Sequence, residues 1–165
     1  MIYVLCSIFL VVFILCSFIF FKMNKLKDYN RSLEICINNI NDILDKKLEL
    51  VNELLPKIKD KKISSFALKD DFSLYEKEDE LFLVSFNINK YAKEHPRVRI
   101  QDKVHQLNVL EESIEGLKDF YNANVLNYNE IFLKPGFNKI FKFFKFSEYK
   151  SFKIRKLEEY EVFKN

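Results

Sequence analysis

An uninterrupted apolar run at the N-terminus constrains this chain more than any other feature of its sequence. The twenty residues from Ile2 to Phe21 include no charged residue and no Gly, Pro, Asn or Gln. As a helix they extend about 30 Å, the thickness of the hydrocarbon core of a bilayer. A cleaved signal peptide is the alternative, but it needs a basic start, a shorter apolar core and a small-residue cleavage site, which this run lacks. Residues 2–21 are therefore predicted to span a lipid bilayer.

Basic residues follow this run, whereas only the α-amino group precedes it. Lys22, Lys25, Lys27 and Arg31 stand against the single acid Asp28. Short segments rich in Lys and Arg remain on the cytoplasmic side of a membrane. We therefore expect a single-pass protein of the cell membrane with its N-terminus outside and the following domain in the cytoplasm.

The composition of the rest of the chain favours helices. The 165 residues include 2 Gly and 3 Pro, too few turn-forming residues for an all-β or an alternating α/β fold. The stretch after the span is about one domain in length. The net charge of +3 is small for a dedicated nucleic-acid binder, so no nucleic-acid partner is expected. Three scattered cysteines exclude a disulfide scaffold and a CxxC site.

Apolar residues at intervals of three and four predict two long helices after the membrane segment. The first helix continues from the span and weakens at Pro56, and residues 61–71 are predicted to be a loop or a frayed connection. The second begins at Ser73, because Ser73 and Glu76 have the spacing of a capping box, and ends before Pro96. The stripe of the first helix comprises Leu26, Tyr29, Leu33, Ile37, Ile40, Leu44, Leu48, Val51, Leu55 and Ile58.

A third helix is predicted by two rows of residues seven apart. One row is Ile100, Leu107, Ile114, Tyr121 and Tyr128, and the other is Val104, Glu111, Lys118, Val125 and Phe132. Pro135 and Gly136 end this helix, and a short fourth helix can follow them. The expected fold is all-α: an N-terminal transmembrane helix, then an antiparallel up-and-down bundle of three long helices plus a short C-terminal helical or irregular segment. The predicted division is 1–22 for the membrane segment, 23–146 for the bundle and 147–165 for a tail.

A tandem Tyr-Asn motif gives the chain a resemblance to a known family. The segment from Tyr121 to Asn129, YNANVLNYN, resembles the YN-x-x-V-x-x-YN signature of the LemA family, and Tyr29-Asn30 lies where the family has a further such pair. The segment from Pro135 to Phe146 resembles the Pro, apolar helix and G-F-K that come next in the family, with Phe144 in the place of the Gly. The resemblance implies an antiparallel helical bundle on an N-terminal membrane anchor, with no assigned molecular function and no catalytic residues to transfer.

No set of residues in the sequence has the spacing of an active site. Asp102 and His105 precede Glu111, Glu112 and Glu115 on the third helix, which are the residue types of a carboxylate and imidazole metal site. A ferritin-like centre needs two Glu-x-x-His pairs and two further Glu, and this chain has 2 His and no such pair. We expect no catalytic residue, no metal and no cofactor.

Polar residues inside the third helix are the candidates for a structural or interaction role. Glu111 and Lys118 occupy a heptad row that is otherwise apolar. Either they form a buried polar layer that binds something, or they lie at the edge of the seam or pair with a neighbouring helix and set its register. The second interpretation is preferred. Tyr121, Asn122, Tyr128 and Asn129 of the Tyr-Asn motif are candidates for inward packing and hydrogen bonding.

The segment from Lys134 to Lys156 combines eight basic residues with Phe side chains, against the single acid Glu148. Such a segment can contact an anionic membrane surface, or it can fold back on the bundle and leave its lysines in water. Folding back is preferred, and the candidates for membrane contact are Lys139, Lys142, Phe143, Phe144 and Lys145.

These patterns favour a non-enzymatic interaction or scaffold module of the bacterial cell envelope. An unidentified protein partner is expected, and the oligomeric state stays open. The second hypothesis is a lipid-surface binder that uses the segment rich in Phe and Lys. The third is an enzyme with an unrecognised site in the bundle.

Overall fold

A computed structural model describes residues 1–68 and 72–153 of the chain. Its elements are α1 (Ile2–Leu54), a 3₁₀ turn (Leu55–Lys57), α2 (Lys61–Ser64), α3 (Leu74–Glu94), α4 (Gln101–Phe132) and α5 (Asn138–Phe143). No strand occurs in the described ranges, so the all-α class is confirmed. The predicted tail falls in part on residues 154–165, which lie outside the described residues.

Helix α1 joins the apolar run to the rest of the chain without a break. It is 53 residues long, and its N-terminal part is long and apolar enough to cross a membrane. Side chains of the run such as Phe9 and Phe13 are exposed, as lipid-facing residues of a single spanning helix are. Beyond the run, one stripe of the helix is buried, including Leu33, Ile40 and Leu44. Pro56 lies in the 3₁₀ turn that ends α1, because Pro cannot continue the hydrogen bonding of a helix interior.

Helix α3 begins at the predicted capping box. The hydroxyl of Ser73 accepts a hydrogen bond from the backbone N–H of Glu76, and the Glu76 carboxylate accepts one from the backbone N–H of Ser73 at 2.8 Å. The ring of Pro96 comes after the last helical residues, and His95 forms the C-cap. Both ends of α3 are therefore set by local sequence.

The described chain divides into two compact units. The first contains Met1–Ile35 and Tyr121–Ser151. The second contains Cys36–Phe120 and, among the described residues, Phe152 and Lys153. The division into 1–22, 23–146 and 147–165 stays a prediction.

The order of helices in the second unit differs from the predicted up-and-down arrangement. Lys77 near the start of α3 donates a hydrogen bond to Asp45 of α1 at 2.5 Å, and the backbone N–H of Lys59 after α1 donates to the hydroxyl of Tyr91 near the end of α3 at 3.3 Å. Residue numbers increase in the same direction along the two helices, so α1 and α3 are parallel. Because these successive helices are parallel, the chain between them has to return along the bundle, and the described residues of this connection are 55–68 and 72–73.

Part of this returning connection is helical, which corrects the predicted loop over residues 61–71. Asp60 caps α2 by accepting a hydrogen bond from the backbone N–H of Lys62 at 2.8 Å. Ile63 of α2 is buried. Helix α2 has only four residues, about one turn, which is too short to show a repeated apolar stripe in the sequence.

Helix α4 is antiparallel to the other two helices of the second unit. Glu111 of α4 pairs with Lys47 of α1, while Lys103, nearer the start of α4, pairs with Glu53 further along α1. Asn89 Nδ2 of α3 donates to Asn108 Oδ1 of α4 at 2.8 Å. Both heptad rows of α4 are buried over their whole length, which places Glu111 and Lys118 inside the protein with the apolar members.

Candidate functional site

Five charged side chains from three helices form a buried network in the second unit. The Lys47 ammonium pairs with the carboxylate of Glu111. The Lys118 ammonium donates to Glu78 Oε1 of α3 at 3.1 Å and to Glu115 Oε1 at 2.6 Å. Four of the five residues are buried, and Glu115 is half-buried. The network therefore connects α1, α3 and α4 through charge-assisted hydrogen bonds.

Burial and charge act in opposite directions on Lys47. Loss of water lowers the pKa of its ammonium below the usual value of 10.5, while the charge and hydrogen bond of Glu111 raise it in part. A buried ion pair costs desolvation and recovers that cost only when both partners keep good contacts. Among the described residues, Glu111 Oε1 has no hydrogen-bond partner, so this carboxylate is only half satisfied.

Three carboxylates of the network have the arrangement that could hold a cation. One oxygen each from Glu78, Glu111 and Glu115 lie within 4.8 Å of one another. Such an oxygen set suits Mg²⁺, Ca²⁺ or Mn²⁺. Here the ammoniums of Lys47 and Lys118 already supply positive charge to all three of these carboxylates. The arrangement is that of an ion-pair network.

The fold brings together only some of the carboxylate and imidazole side chains that the sequence offers as candidate metal ligands. Glu111 and Glu115 share the network, whereas Asp102, His105 and Glu112 are exposed elsewhere on α4.

Sequence reasoning missed Glu78 and Lys47. Glu78 is one of six acids between Asp70 and Glu80, so nothing distinguished it from its neighbours. The sequence does hold a weak signal for Lys47, which lies three residues after Leu44 and four before Val51, but the apolar pattern favours Leu48 for the stripe. Leu48 is half-buried and Lys47 fully buried.

The first unit holds the tandem Tyr-Asn motif against the segment after α5. The side-chain amide of Asn129 forms two hydrogen bonds with the backbone of Tyr149. Its Nδ2 donates to the carbonyl oxygen at 2.9 Å, and its Oδ1 accepts from the N–H at 3.3 Å. The Tyr149 hydroxyl donates to Asn30 Oδ1 at 2.5 Å. The rings of Tyr128 and Tyr149 meet edge to face at 5.0 Å. We call Asn30, Tyr128, Asn129 and Tyr149 the tyrosine clamp.

Tyr128 has a buried hydroxyl that lacks a hydrogen-bond partner in the described part of the chain. Burial, with a smaller contribution from Tyr149, raises its pKa to about 12, and the backbone of Ser147 partly offsets that rise without reaching hydrogen-bond geometry. Tyr121 is also fully buried. Asn122 is half-buried. The motif therefore lies mostly inside the protein, where its aromatic rings pack.

The segment rich in Phe and Lys has an inner and an outer side. Phe141 is fully buried and packs on Phe137 and Phe146, with ring centroids 6.0 and 6.3 Å apart. Phe143 and Phe144 are 82% and 49% exposed. The candidate lysines of this segment are all exposed: Lys139, Lys142 and Lys145.

A Schellman motif ends α5. The backbone N–H of Phe146 donates to the carbonyl of Phe141 at 3.0 Å, and that of Lys145 donates to Lys142 at 2.9 Å. Lys145 has a φ of 64°, the left-handed conformation that such a cap requires. The left-handed residue of this motif is thus Lys145.

An open groove of about 400 Å³ lies between α1 and α4 in the second unit. Its apolar part is formed by Leu50, Val109 and Leu110, and its polar part by Lys46, Glu49, Glu53, His105 and Gln106.

Comparison with known proteins gives no relative: no family model matches the chain, and no curated protein and no solved structure matches it.

Proposed function

We propose that this chain is a membrane-anchored, LemA-like interaction or scaffold protein of the bacterial cell envelope, and that it takes a segment of a protein partner in the α1/α4 groove. The groove is the observation that carries this proposal. Leu50, Val109 and Leu110 offer an apolar strip, and charges of both signs flank it. That is the chemistry that receives an amphipathic helix of a partner.

The buried network supports a structural role for the acids and lysines of the second unit. Glu111 and Lys118 are paired with residues of neighbouring helices, which fixes the relative rotation of those helices. A general acid or base must exchange its proton with a substrate. Groups enclosed in ion pairs between helices are poorly placed for such an exchange.

The proposed placement is in the cell membrane, with the N-terminus outside and the helical units in the cytoplasm. The apolar N-terminal part of α1 supports the membrane anchor. The four basic residues after it support the orientation. The tandem Tyr-Asn motif is the feature that supports the LemA resemblance.

Site-specific photo-crosslinking in intact cells tests the groove. A photoreactive residue replaces Val109, and a matched control carries it at Leu83 of α3; these side chains are 48% and 44% exposed. We expect one crosslinked product of discrete mass from position 109 and none of that mass from position 83. The same products from both positions, or no product from position 109, would contradict the proposal.

A further inference from the structure

The α5 segment contacts the membrane-spanning part of α1. The ring of Phe137, at the start of α5, lies 5.8 Å from the ring of Phe18. Phe18 is itself part of the apolar run and carries the Lys22 ammonium 5.5 Å from its ring centroid. Phe18 lies three residues before Phe21, the end of the run, which is about 5 Å along a helix. Phe137 therefore lies near the edge of the hydrocarbon core.

This contact restricts where the exposed aromatic pair can lie. Phe143 is six residues after Phe137, and a helix of that length extends about 9 Å. Interfacial elements bury their apolar side about 5–10 Å into the boundary between headgroups and acyl chains. Phe143 and Phe144, whose rings meet edge to face at 5.4 Å, are thus within reach of that boundary.

The charges around the aromatic pair match an anionic surface. From Lys134 to Ser147 the chain has four lysines and no acid. Lys139, Lys142 and Lys145 are exposed, and a lysine can keep its ammonium among headgroups while its stem covers apolar surface. Each lysine near an anionic leaflet contributes attraction to the surface.

We propose that α5 and its C-terminal turn form a lipid-contact surface beside the anchor, in which Phe143 and Phe144 enter the bilayer boundary while Lys139, Lys142 and Lys145 bind anionic lipid headgroups. This inference rests on the proposed membrane anchor. It assigns the buried and exposed Phe residues different tasks: Phe137 and Phe141 hold α5 against the protein, and the outer pair holds it against lipid.

Tryptophan fluorescence tests the surface in the full chain, because the natural sequence has 0 Trp. Three variants each carry one tryptophan: Phe143→Trp in the proposed surface, Phe13→Trp in the spanning run and Leu126→Trp on α4. Leu126 is 71% exposed. Leu126 is three residues before Asn129 on α4, and Asn129 is linked by hydrogen bonds through Tyr149 to Asn30 of α1. Asn30 lies about 14 Å along α1 beyond the end of the apolar run. Each variant is reconstituted in vesicles of phosphatidylcholine with or without phosphatidylglycerol, using brominated lipids as quenchers.

We expect brominated lipid to quench the tryptophans at positions 143 and 13 and to leave the one at position 126 unquenched. Adding Lys139→Gln, Lys142→Gln and Lys145→Asn to the Phe143→Trp variant should shift the balance from docked to undocked by about a hundredfold in anionic vesicles, roughly fivefold per lysine. Asn is used at position 145 because it tolerates the left-handed conformation. The same lysine changes should have little effect in pure phosphatidylcholine.

Separate outcomes distinguish failure of the surface from failure of the anchor. Quenching at position 13 but not at 143 overturns the surface and leaves the anchor. Absence of quenching at both positions overturns the anchor and the surface with it. A blue-shifted, unquenched emission at position 143 shows that another protein surface, such as a second copy of the chain, covers the pair, and overturns the lipid assignment. Equal quenching at position 143 in vesicles with and without phosphatidylglycerol overturns the assignment of anionic headgroups.

Discussion

The Lys47 ammonium and the Glu111 carboxylate form an ion pair between α1 and α4 in which the two side chains are only 0% and 8% exposed. A second pair between the same helices, Lys103 with Glu53, lies at the surface, with side chains 35% and 56% exposed. The two pairs have the same chemistry and differ in burial. They therefore form a natural comparison of the effect of burial on an ion pair.

Replacing Lys47 by Met should destabilise the protein strongly. The change leaves the Glu111 carboxylate buried without its cation, which costs about 3–5 kcal/mol in the free energy of unfolding. The control Lys103→Met should cost less than about 1 kcal/mol because its partner keeps water. The double variant Lys47→Met, Glu111→Leu should recover most of the loss. Urea unfolding in detergent micelles measures all three, and equal losses at positions 47 and 103 would show that burial does not matter here.

The pKa of Lys47 also predicts a pH dependence. Burial lowers this pKa below 10.5, so the unfolded chain binds more protons at this group than the folded chain does between the lowered value and 10.5. The free energy of unfolding therefore rises with pH across that window. The stability of the natural chain minus that of Lys47→Met should increase as the pH approaches 10.5. A flat or falling difference between neutral pH and 10.5 would contradict the sign of this shift.

Tyr128 and Tyr121 should respond to truncation but not equally to loss of the hydroxyl. Tyr121→Ala and Tyr128→Ala each remove a fully buried ring and should cost about 3–5 kcal/mol. Tyr128→Phe removes a buried hydroxyl that has no hydrogen-bond partner among the described residues, so it should be neutral or stabilising in urea unfolding. A marked loss of stability in Tyr128→Phe would show that this hydroxyl forms a stabilising hydrogen bond.

High pH gives a second readout of the Tyr128 hydroxyl. Its folded pKa of about 12 lies above the ordinary value of 10.0, so the folded chain keeps the proton after the unfolded chain has lost it. The stability that this group contributes is complete below pH 10 and decreases as the pH rises toward 12. Tyr128→Phe should lack that component of the alkaline loss. Identical alkaline profiles in denaturant titrations would count against the raised pKa.

Asn129 should control the attachment of the segment after α5. Asn129→Asp replaces the Nδ2 donor by an acceptor that repels the Tyr149 carbonyl, at a cost of about 1–3 kcal/mol and so about tenfold or more in local opening. Trypsin should then cleave faster after the exposed Lys150. Asn127→Asp, an exposed change two residues earlier on the same helix, is the matched control. Equal cleavage rates in the two variants would show that the Asn129 contacts do not hold this segment in place.

Local periodicity and capping determined which parts of this chain are helical. The Ser73–Glu76 pair set the start of α3, Pro56 and Pro96 set the ends of α1 and α3, and the heptad rows set α4 from Gln101 to Phe132. These signals act within one or two turns, so they can be read without knowing the neighbours. The apolar run from Ile2 likewise indicates a spanning helix by length and composition alone.

Only the tertiary structure decided how these helices meet. The sequence placed Glu111 and Lys118 in a buried row, but the choice of Lys47 and Glu78 as their partners depends on the relative rotation of helices far apart in sequence. It was also the tertiary structure that made α1 and α3 parallel and brought Tyr149 onto Asn30 and Asn129. Periodicity reports which face of a helix is buried, whereas the identity of the element that covers that face is a long-range contact, and no local pattern encodes it.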